Sequence, residues 1–324
     1  MITAALRRTI LAAAGLEEGN PLLRPGPAPG SYASSLPFRL SPDPTAAAAV
    51  LADRLGQESW VAVAEVTGAG FVTVTVTHAT LARLAIRIAN AGSACADSDA
   101  LRGCTMPAPP PSALPTTGVP SWPQARAALA GQLTVRLAAA AGATLPFDPE
   151  RSGFPALAPP SRGPVAEAIG YAGPDAVRFA LARMPPGGEP PQAAVVARHV
   201  LANPAYAVRY AHAAAAAVLR WAAALGTRPA GFMPRLLAEP AELALLDALS
   251  WLPERVAAAA RRERPDEFAG YLAELAARTI DTMSTTSFRK VPDISSERLW
   301  LADAARTGLA AGLGLLGIDA PSRL

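Results

Sequence analysis

Residues 203–213 read NPAYAVRYAHA and lie inside an apolar run from Gln192 to Leu225. The run has the composition of a long helix, and Pro204 predicts a bend in it, because proline removes a backbone hydrogen bond from a helix interior. Tyr206 and Tyr210 are four residues apart, so a helix places both rings on one face. This stretch therefore predicts a long helix that presents two aromatic rings side by side.

Helical signals continue to both sides of this stretch. Proline or an acidic residue opens each predicted helix except the last, which Ser295 and Ser296 cap and which glycine ends. This is the usual asymmetry of helix ends. The predicted helices begin near Pro174, Glu242, Pro253, Pro265 and Ser295, and the last ends near Gly317. Residues 165–324 are therefore predicted to form an all-α bundle.

The first 105 residues have a different pattern. Alternating branched residues predict strands at 60–66 and 71–77, joined by a tight turn at Gly68-Ala69-Gly70. Helices are predicted around these strands, and a Pro/Gly-rich loop precedes them. The helices cover Thr3 to Leu16, about Pro44 to Leu55 and Ala79 to Ala91, and the loop covers Pro21 to Tyr32. Residues 1–105 are predicted to be a small α+β domain.

Residues 106–164 are predicted to link these two units. Six prolines between Met106 and Pro120 suppress helix, and a second proline-rich stretch follows at 154–164. Between them, Ser121 and Gln124 have the spacing of a capping box, which predicts a helix that ends at Gly142. We expect the two flanking units to fold as separate cores, with the 106–120 segment sensitive to protease.

Composition narrows the class of protein. The net charge of +3 in 324 residues is too small to indicate a general polyanion-binding protein, so binding to DNA is not expected. No apolar stretch reaches the length of a membrane span, and no signal peptide is recognisable. Cys95 and Cys104 have no metal-site spacing. The sequence predicts a cytoplasmic protein that has no membrane span, metal site or cofactor.

Several segments carry a family resemblance. The stretch 203–213 resembles the junction segment of bacterial arginyl-tRNA synthetases, and residues 298–321 resemble the end of their anticodon-binding (DALR) domain. In the N-terminal unit, residues 30–35 (GSYASS) and 65–71 (EVTGAGF) are similar to segments of the same enzymes. The resemblance covers roughly residues 1–92 and 165–324. It implies an α+β N-terminal domain and a DALR-like bundle.

The family's class I Rossmann domain, by contrast, is expected to be absent. That domain uses a signature of two histidines and a mobile lysine loop to stabilise charge during adenylate formation. Here the three histidines are His78, His199 and His212, and the single lysine is Lys290. None lies between the two resembling units. We therefore expect no catalytic residues and no arginine–tRNA ligase activity.

The resemblance implies that RNA contacts lie on the bundle and at one N-terminal loop. Tyr206 and Tyr210 are either stacking platforms for unpaired bases or core aromatics with bonded hydroxyls, and the resemblance favours stacking for Tyr210. The other candidate RNA-binding residues are Tyr32, Arg209, Arg261, Arg262, Arg289 and Lys290. For His212, a packed histidine is favoured over a catalytic one, because no acid or cysteine stands at ligand spacing.

Three functions remain open on the sequence. The favoured one is a non-catalytic synthetase paralogue that binds tRNA or a tRNA-like RNA. The alternative is a protein-interaction module that associates with a synthetase or another partner through exposed apolar surface. The least favoured is an active arginine–tRNA ligase.

Overall fold

A computed structural model describes residues 1–106, 121–147, 162–289 and 294–324. The predicted linker segment 107–120, most of the second proline-rich stretch and Lys290 lie outside the described residues. Among the described residues the strands are β1 Leu23–Pro25, β2 Ser31–Ser34, β3 Val61–Thr67 and β4 Phe71–Val76. The helices are α1 Ile2–Ala13, α2 Pro37–Leu40, α3 Pro44–Leu55, α4 His78–Ala82, α5 Leu84–Ala91, α6 Trp122–Ala140, α7 Pro164–Ala172, α8 Pro174–Arg183, α9 Ala193–Val196, α10 Pro204–Ala224, α11 Pro240–Ser250, α12 Leu252–Arg262, α13 Pro265–Met283, α14 Thr286–Arg289 and α15 Ser296–Leu315.

The N-terminal unit is built on an antiparallel sheet in the order β1-β2-β4-β3. The predicted hairpin of β3 and β4 is confirmed, and Gly70 in its turn has a φ of +124°. A Cβ atom at Gly70 would lie 2.8 Å from the Cβ of Pro44 at the start of α3, so glycine is required there. The turn therefore serves the packing of the hairpin against α3.

Two predictions for this unit were wrong. The segment Pro21 to Tyr32 is not only a loop, because it contains β1 and the start of β2, which pairs with β4. Pairing with a distant strand stabilises extended backbone that the local composition does not indicate. The helix predicted at 79–91 is two helices that meet at Arg83. The first of them packs against α11 and the second against α15, so the chain turns between them.

In the bundle, α10 packs along α13 and α15. The sequence predicted a bend at Pro204, and this prediction was wrong, because Pro204 begins the helix. Asn203 stabilises that start: its side-chain oxygen accepts a hydrogen bond from the amide of Ala205, and its side-chain nitrogen donates to the carbonyl of Val196 at 2.8 Å. The predicted caps at Ser121 and Ser295 are confirmed.

The two units share one core. Tyr32 in β2 donates a hydrogen bond of 2.8 Å to the hydroxyl of Ser250 at the end of α11, and the amide of Gly30 donates to the carboxylate of Asp247. Buried residues of the N-terminal unit and of the bundle form a single cluster. The prediction of separate cores was therefore wrong for the described residues, because sheet and helices bury their apolar faces against each other. The boundaries near residues 105 and 165 stay predictions.

No helix within the described ranges has both the length and the apolar composition needed to cross a membrane.

Candidate nucleic-acid interface

Three stacked rings form an aromatic row, which we define as His199, Tyr206 and Tyr210. The ring centroids of His199 and Tyr206 are 5.3 Å apart, with 11° between their planes. Those of Tyr206 and Tyr210 are 5.8 Å apart, with 27° between their planes. His199 is exposed, Tyr206 is half-buried and Tyr210 is 37% exposed. The row therefore offers aromatic surface to a partner outside the chain.

The sequence of α10 explains why these rings face outward. Small and branched residues cover the opposite side of the helix, where Val208, Ala211 and Ala215 are buried. Small side chains let α13 and α15 approach that side closely. Tyr206 and Tyr210, four residues apart, share the other side. The predicted placement of both tyrosines on one helical face is confirmed.

His212 lies on the buried side of α10. Its Nδ1 is 2.9 Å from the carbonyl oxygen of Pro321, and burial lowers its pKa. The imidazole therefore holds the C-terminal segment against the helix in its neutral form. The prediction of a packed histidine is confirmed.

A groove continues the exposed face of α10 beyond the aromatic row. It has a volume of about 550 Å³ and runs between Tyr210 and Trp221, with Met283 of α13 in its wall. Trp221 is 59% exposed, and Arg220 and Arg323 also line the groove. The groove thus combines aromatic surface with positive charge, as single-stranded nucleic-acid sites do.

His199 and Trp221 were not among the site residues predicted from the sequence. A helical spacing signal existed for Trp221, because it follows Tyr210 by eleven residues, or about three turns. No such signal existed for His199, which precedes the helix. Its ring reaches Tyr206 only because the chain folds back between α9 and α10.

Arg209 is placed differently from the two tyrosines beside it. Its guanidinium lies 3.8 Å from the carboxylate of Asp175 at the start of α8, and the two side chains are 28% and 24% exposed. This ion pair joins α8 to α10. Arg209 is therefore engaged within the bundle and does not join the aromatic row.

Tyr32 does not lie at a surface. It is 1% exposed, and its ring centroid is 5.2 Å from that of Trp251. Burial also raises the pKa of its hydroxyl. The predicted contact between this ring and RNA does not fit its position, because sheet and bundle close over it.

The predicted arginines occupy two other places. Arg261 and Arg262 are exposed near the end of α12, where Arg262 forms an ion pair of 2.9 Å with Glu267. Arg289 ends α14, a helix that contributes Phe288 to the groove. The candidate side chains that the structure describes therefore do not form one cluster.

The three histidines and Cys95, the side chains with the chemistry of catalytic groups, lie apart from one another. His78 Nε2 is 2.7 Å from the carbonyl oxygen of Leu237, His212 contacts Pro321 and His199 belongs to the aromatic row. Burial raises the pKa of Cys95 to about 12, so this thiol is a poor nucleophile. Among the described residues, no cluster of side chains is arranged to hold a metal ion.

Comparison with known proteins identifies the class of the bundle. Residues 208–324 match the family model of the DALR anticodon binding domain. The match begins within α10, beside the aromatic row. The C-terminal part of the chain is therefore a DALR-like helical region.

The relatives with similar sequences are arginine–tRNA ligases. The arginine–tRNA ligase of Clavibacter sepedonicus is 41% identical over 136 residues, which are 40% of this chain and 24% of the relative. That of Renibacterium salmoninarum is 37% identical over 165 residues, which are 48% of this chain and 30% of the relative. The C-terminal part is thus homologous to arginine–tRNA ligases, and the match spans less than a third of each relative's length.

A solved structure also matches part of the chain. The arginyl-tRNA synthetase of Thermus thermophilus has a TM-score of 0.41 and 24% identity, covering 60% of this chain and 32% of that one.

Proposed function

We propose that this chain binds tRNA or a tRNA-like RNA, and that it does so without catalysing aminoacylation. The aromatic row is the observation that carries the proposal. It is exposed, it lies where the anticodon-binding domain begins, and it continues into a groove lined by arginine.

The chemistry of the row suits unpaired bases. Stacking of a base on an aromatic side chain contributes about 1–3 kcal/mol and tolerates any base, since every base has a π face. The three rings already stack on one another, so a base adds to an ordered surface. Tyr210 lies at the groove end of the row and is the more exposed of the two tyrosines, so it is open to such a base.

The absence of catalysis is proposed from the chemistry that adenylate formation needs. Histidine donors and a mobile lysine must meet the phosphates of ATP in one cavity. Here each described histidine is committed elsewhere, and Lys290 is the single lysine. Arginine is a poor substitute for a compact ammonium group.

Two measurements on the purified chain test the proposal. Bound tRNA should be detected by fluorescence titration, with an affinity that falls as salt rises because phosphate contacts release counterions. ATP–pyrophosphate exchange with arginine and tRNA should stay at background. No salt-dependent tRNA binding would refute the binding function, and exchange above background would refute the absence of catalysis.

A second candidate function rests on exposed apolar residues outside the row. Tyr171 in α7 is 68% exposed, Leu201 is 51% exposed and Val195 is 45% exposed. Such residues are typical of protein-interaction surfaces when they form a patch. If they bind a full-length arginine–tRNA ligase, Tyr171→Ala should weaken co-purification of that enzyme while leaving RNA affinity unchanged.

A further inference from the structure

The junction of the sheet with the bundle contains a second basic site. We define the junction cleft by Arg24 of β1, Trp251 before α12, and Arg255 and Arg261 of α12. The cleft measures about 180 Å³ and continues into a neighbouring cavity of about 610 Å³, with which it shares Trp251 and Arg255. Neither the aromatic row nor the groove beside Trp221 is part of it.

The arginines and the glutamates of the junction cleft differ in their ion pairs. Arg24, Arg255 and Arg261 are exposed, and none of them forms an ion pair within 4.0 Å in the described part of the chain. The two glutamates of the same cleft do have partners: Glu254 lies 3.7 Å from Arg7, and Glu267 pairs with Arg262. Arg255 lies over the rings of Trp251 and Tyr271, and the charge of Glu254 acts on both Arg255 and Arg261. The cleft therefore presents three exposed guanidinium groups that no carboxylate of the described residues holds within 4.0 Å.

The neighbouring cavity has the opposite character. Asp247, Glu274 and Asp281 line it, together with Arg255 and Arg278. An anion is repelled there and attracted into the smaller, basic cleft. The charge distribution thus places an anionic ligand against the three arginines and not in the larger space.

Trp251 adds a separate observation. Its side chain is only 4% exposed, yet its indole Nε1 has no hydrogen-bond acceptor among the described residues. A buried donor without an acceptor is unusual in a folded protein. The guanidinium of Arg255 lies 5.8 Å from the centre of the same ring. A residue that lines this positively charged cleft therefore carries a buried donor without an acceptor among the described residues.

We infer that the junction cleft binds phosphate groups of an RNA backbone. This inference rests on the proposed function and adds to it a second contact, made by the N-terminal unit and the bundle together. Guanidinium groups bind phosphate oxygens with paired hydrogen bonds, and such contacts position RNA without reading its sequence. Because the three arginines are exposed and not enclosed, they suit a long polyanion better than a trapped small ion.

The test compares two triple variants in tRNA titrations over a range of salt concentrations. In the first, Arg24, Arg255 and Arg261 are changed to glutamine. In the matched control, the exposed and unpaired Arg39, Arg102 and Arg228 are changed to glutamine. Each lost phosphate contact should reduce the slope of log affinity against log salt by about 0.7–0.9. The first variant should lose about 2 in slope for three contacts, and the control should keep the wild-type slope.

Two further arms separate the possible outcomes. The single variant Arg24→Gln changes an exposed strand position. Its slope of log affinity against log salt should fall by about 0.7–0.9, the value for one phosphate contact, and it keeps the inference testable if the triple variant misfolds. Inorganic phosphate, tested by thermal shift, distinguishes a free-anion site from an RNA site.

Equal slopes for both triple variants would overturn the inference. The proposed function would still stand if Tyr210→Ala weakened tRNA binding. A second result would also overturn the inference. Phosphate would stabilise the wild type but not the first triple variant, while the salt slope of tRNA binding would be the same in both, and the cleft would then be a site for a small anion. A wild type without salt-dependent tRNA binding would remove both the inference and the proposed function.

Discussion

The junction and the exposed face of α10 are both rich in aromatic residues, but they use them in opposite ways. At the junction, Tyr32 and Tyr271 are 1% and 6% exposed, and their hydroxyls donate hydrogen bonds to Ser250 and Ala248. On α10, Tyr206 and Tyr210 reach the surface, and neither hydroxyl has a hydrogen-bond partner among the described residues.

This difference shows how the surroundings of a tyrosine decide its use. A buried ring with a bonded hydroxyl stabilises the fold, and removing it leaves a cavity and an unpaired polar group. An exposed ring contributes little to stability but keeps its face available for a partner. The same residue type therefore predicts opposite results on substitution in the two regions.

The largest effect is expected at the junction. Tyr271→Ala should lower the free energy of unfolding by about 3–5 kcal/mol, as for other large buried aromatic residues. Urea denaturation measures this loss, with the exposed Tyr171→Ala as the control, which should change stability by less than about 0.5 kcal/mol. A stable Tyr271→Ala protein would show that the junction is not a packed core.

On the exposed face of α10, substitution of a tyrosine should lower the affinity for tRNA and leave the stability of the fold nearly unchanged. Tyr210→Ala should lower tRNA affinity by about one to two orders of magnitude, since one base contact contributes roughly 1–3 kcal/mol. Its urea midpoint should stay close to that of the wild type. Tyr171→Ala serves again as the matched control and should bind tRNA normally. Loss of stability without a specific loss of affinity would place Tyr210 with the junction tyrosines.

A smaller effect isolates the hydroxyl groups. Tyr32→Phe keeps the ring but removes the hydrogen bond to Ser250, which should cost about 1 kcal/mol of stability. Tyr206→Phe removes a hydroxyl that has no partner, so its unfolding curve should match that of the wild type. Equal losses in the two variants would contradict the assigned hydrogen-bond pattern.

The smallest effect concerns the buried side of α10. Because burial lowers the pKa of His212, the unfolded chain binds a proton more readily than the folded one between that lowered pKa and about 6.5. This contribution to stability is complete above about pH 6.5 and is lost as the pH falls through the folded pKa. Urea unfolding at several pH values should therefore show a weaker pH dependence for His212→Gln. An unchanged dependence would mean that His212 does not titrate differently on folding.

Much of the fold could be predicted because its signals are local. Capping residues such as Ser121 and Ser295 mark helix starts through contacts a few residues away, and a glycine such as Gly70 marks a turn by its type alone. Strands β1 and β2 were not predicted, because β2 is stabilised by pairing with the distant β4, and β1 by pairing with β2. The shared core was not predicted either, since it depends on Tyr32 meeting Ser250 more than two hundred residues later.

The site could be predicted only in part, for a related reason. The spacing of Tyr206 and Tyr210 fixes their common face on any helix. Spacing does not show whether a ring is exposed, so Tyr32 was grouped with them although it is buried. Nor does it show that Arg209 meets Asp175 on another helix, or that Arg24 approaches Arg255 across the junction.

The most direct test of tRNA binding through α10 is photo-crosslinking of bound tRNA, followed by identification of the crosslinked peptides by mass spectrometry. The proposed function predicts crosslinks in the segment that contains Tyr206 and Tyr210, and their loss when salt abolishes binding. Crosslinks confined to other segments, with none in residues 199–221, would contradict it.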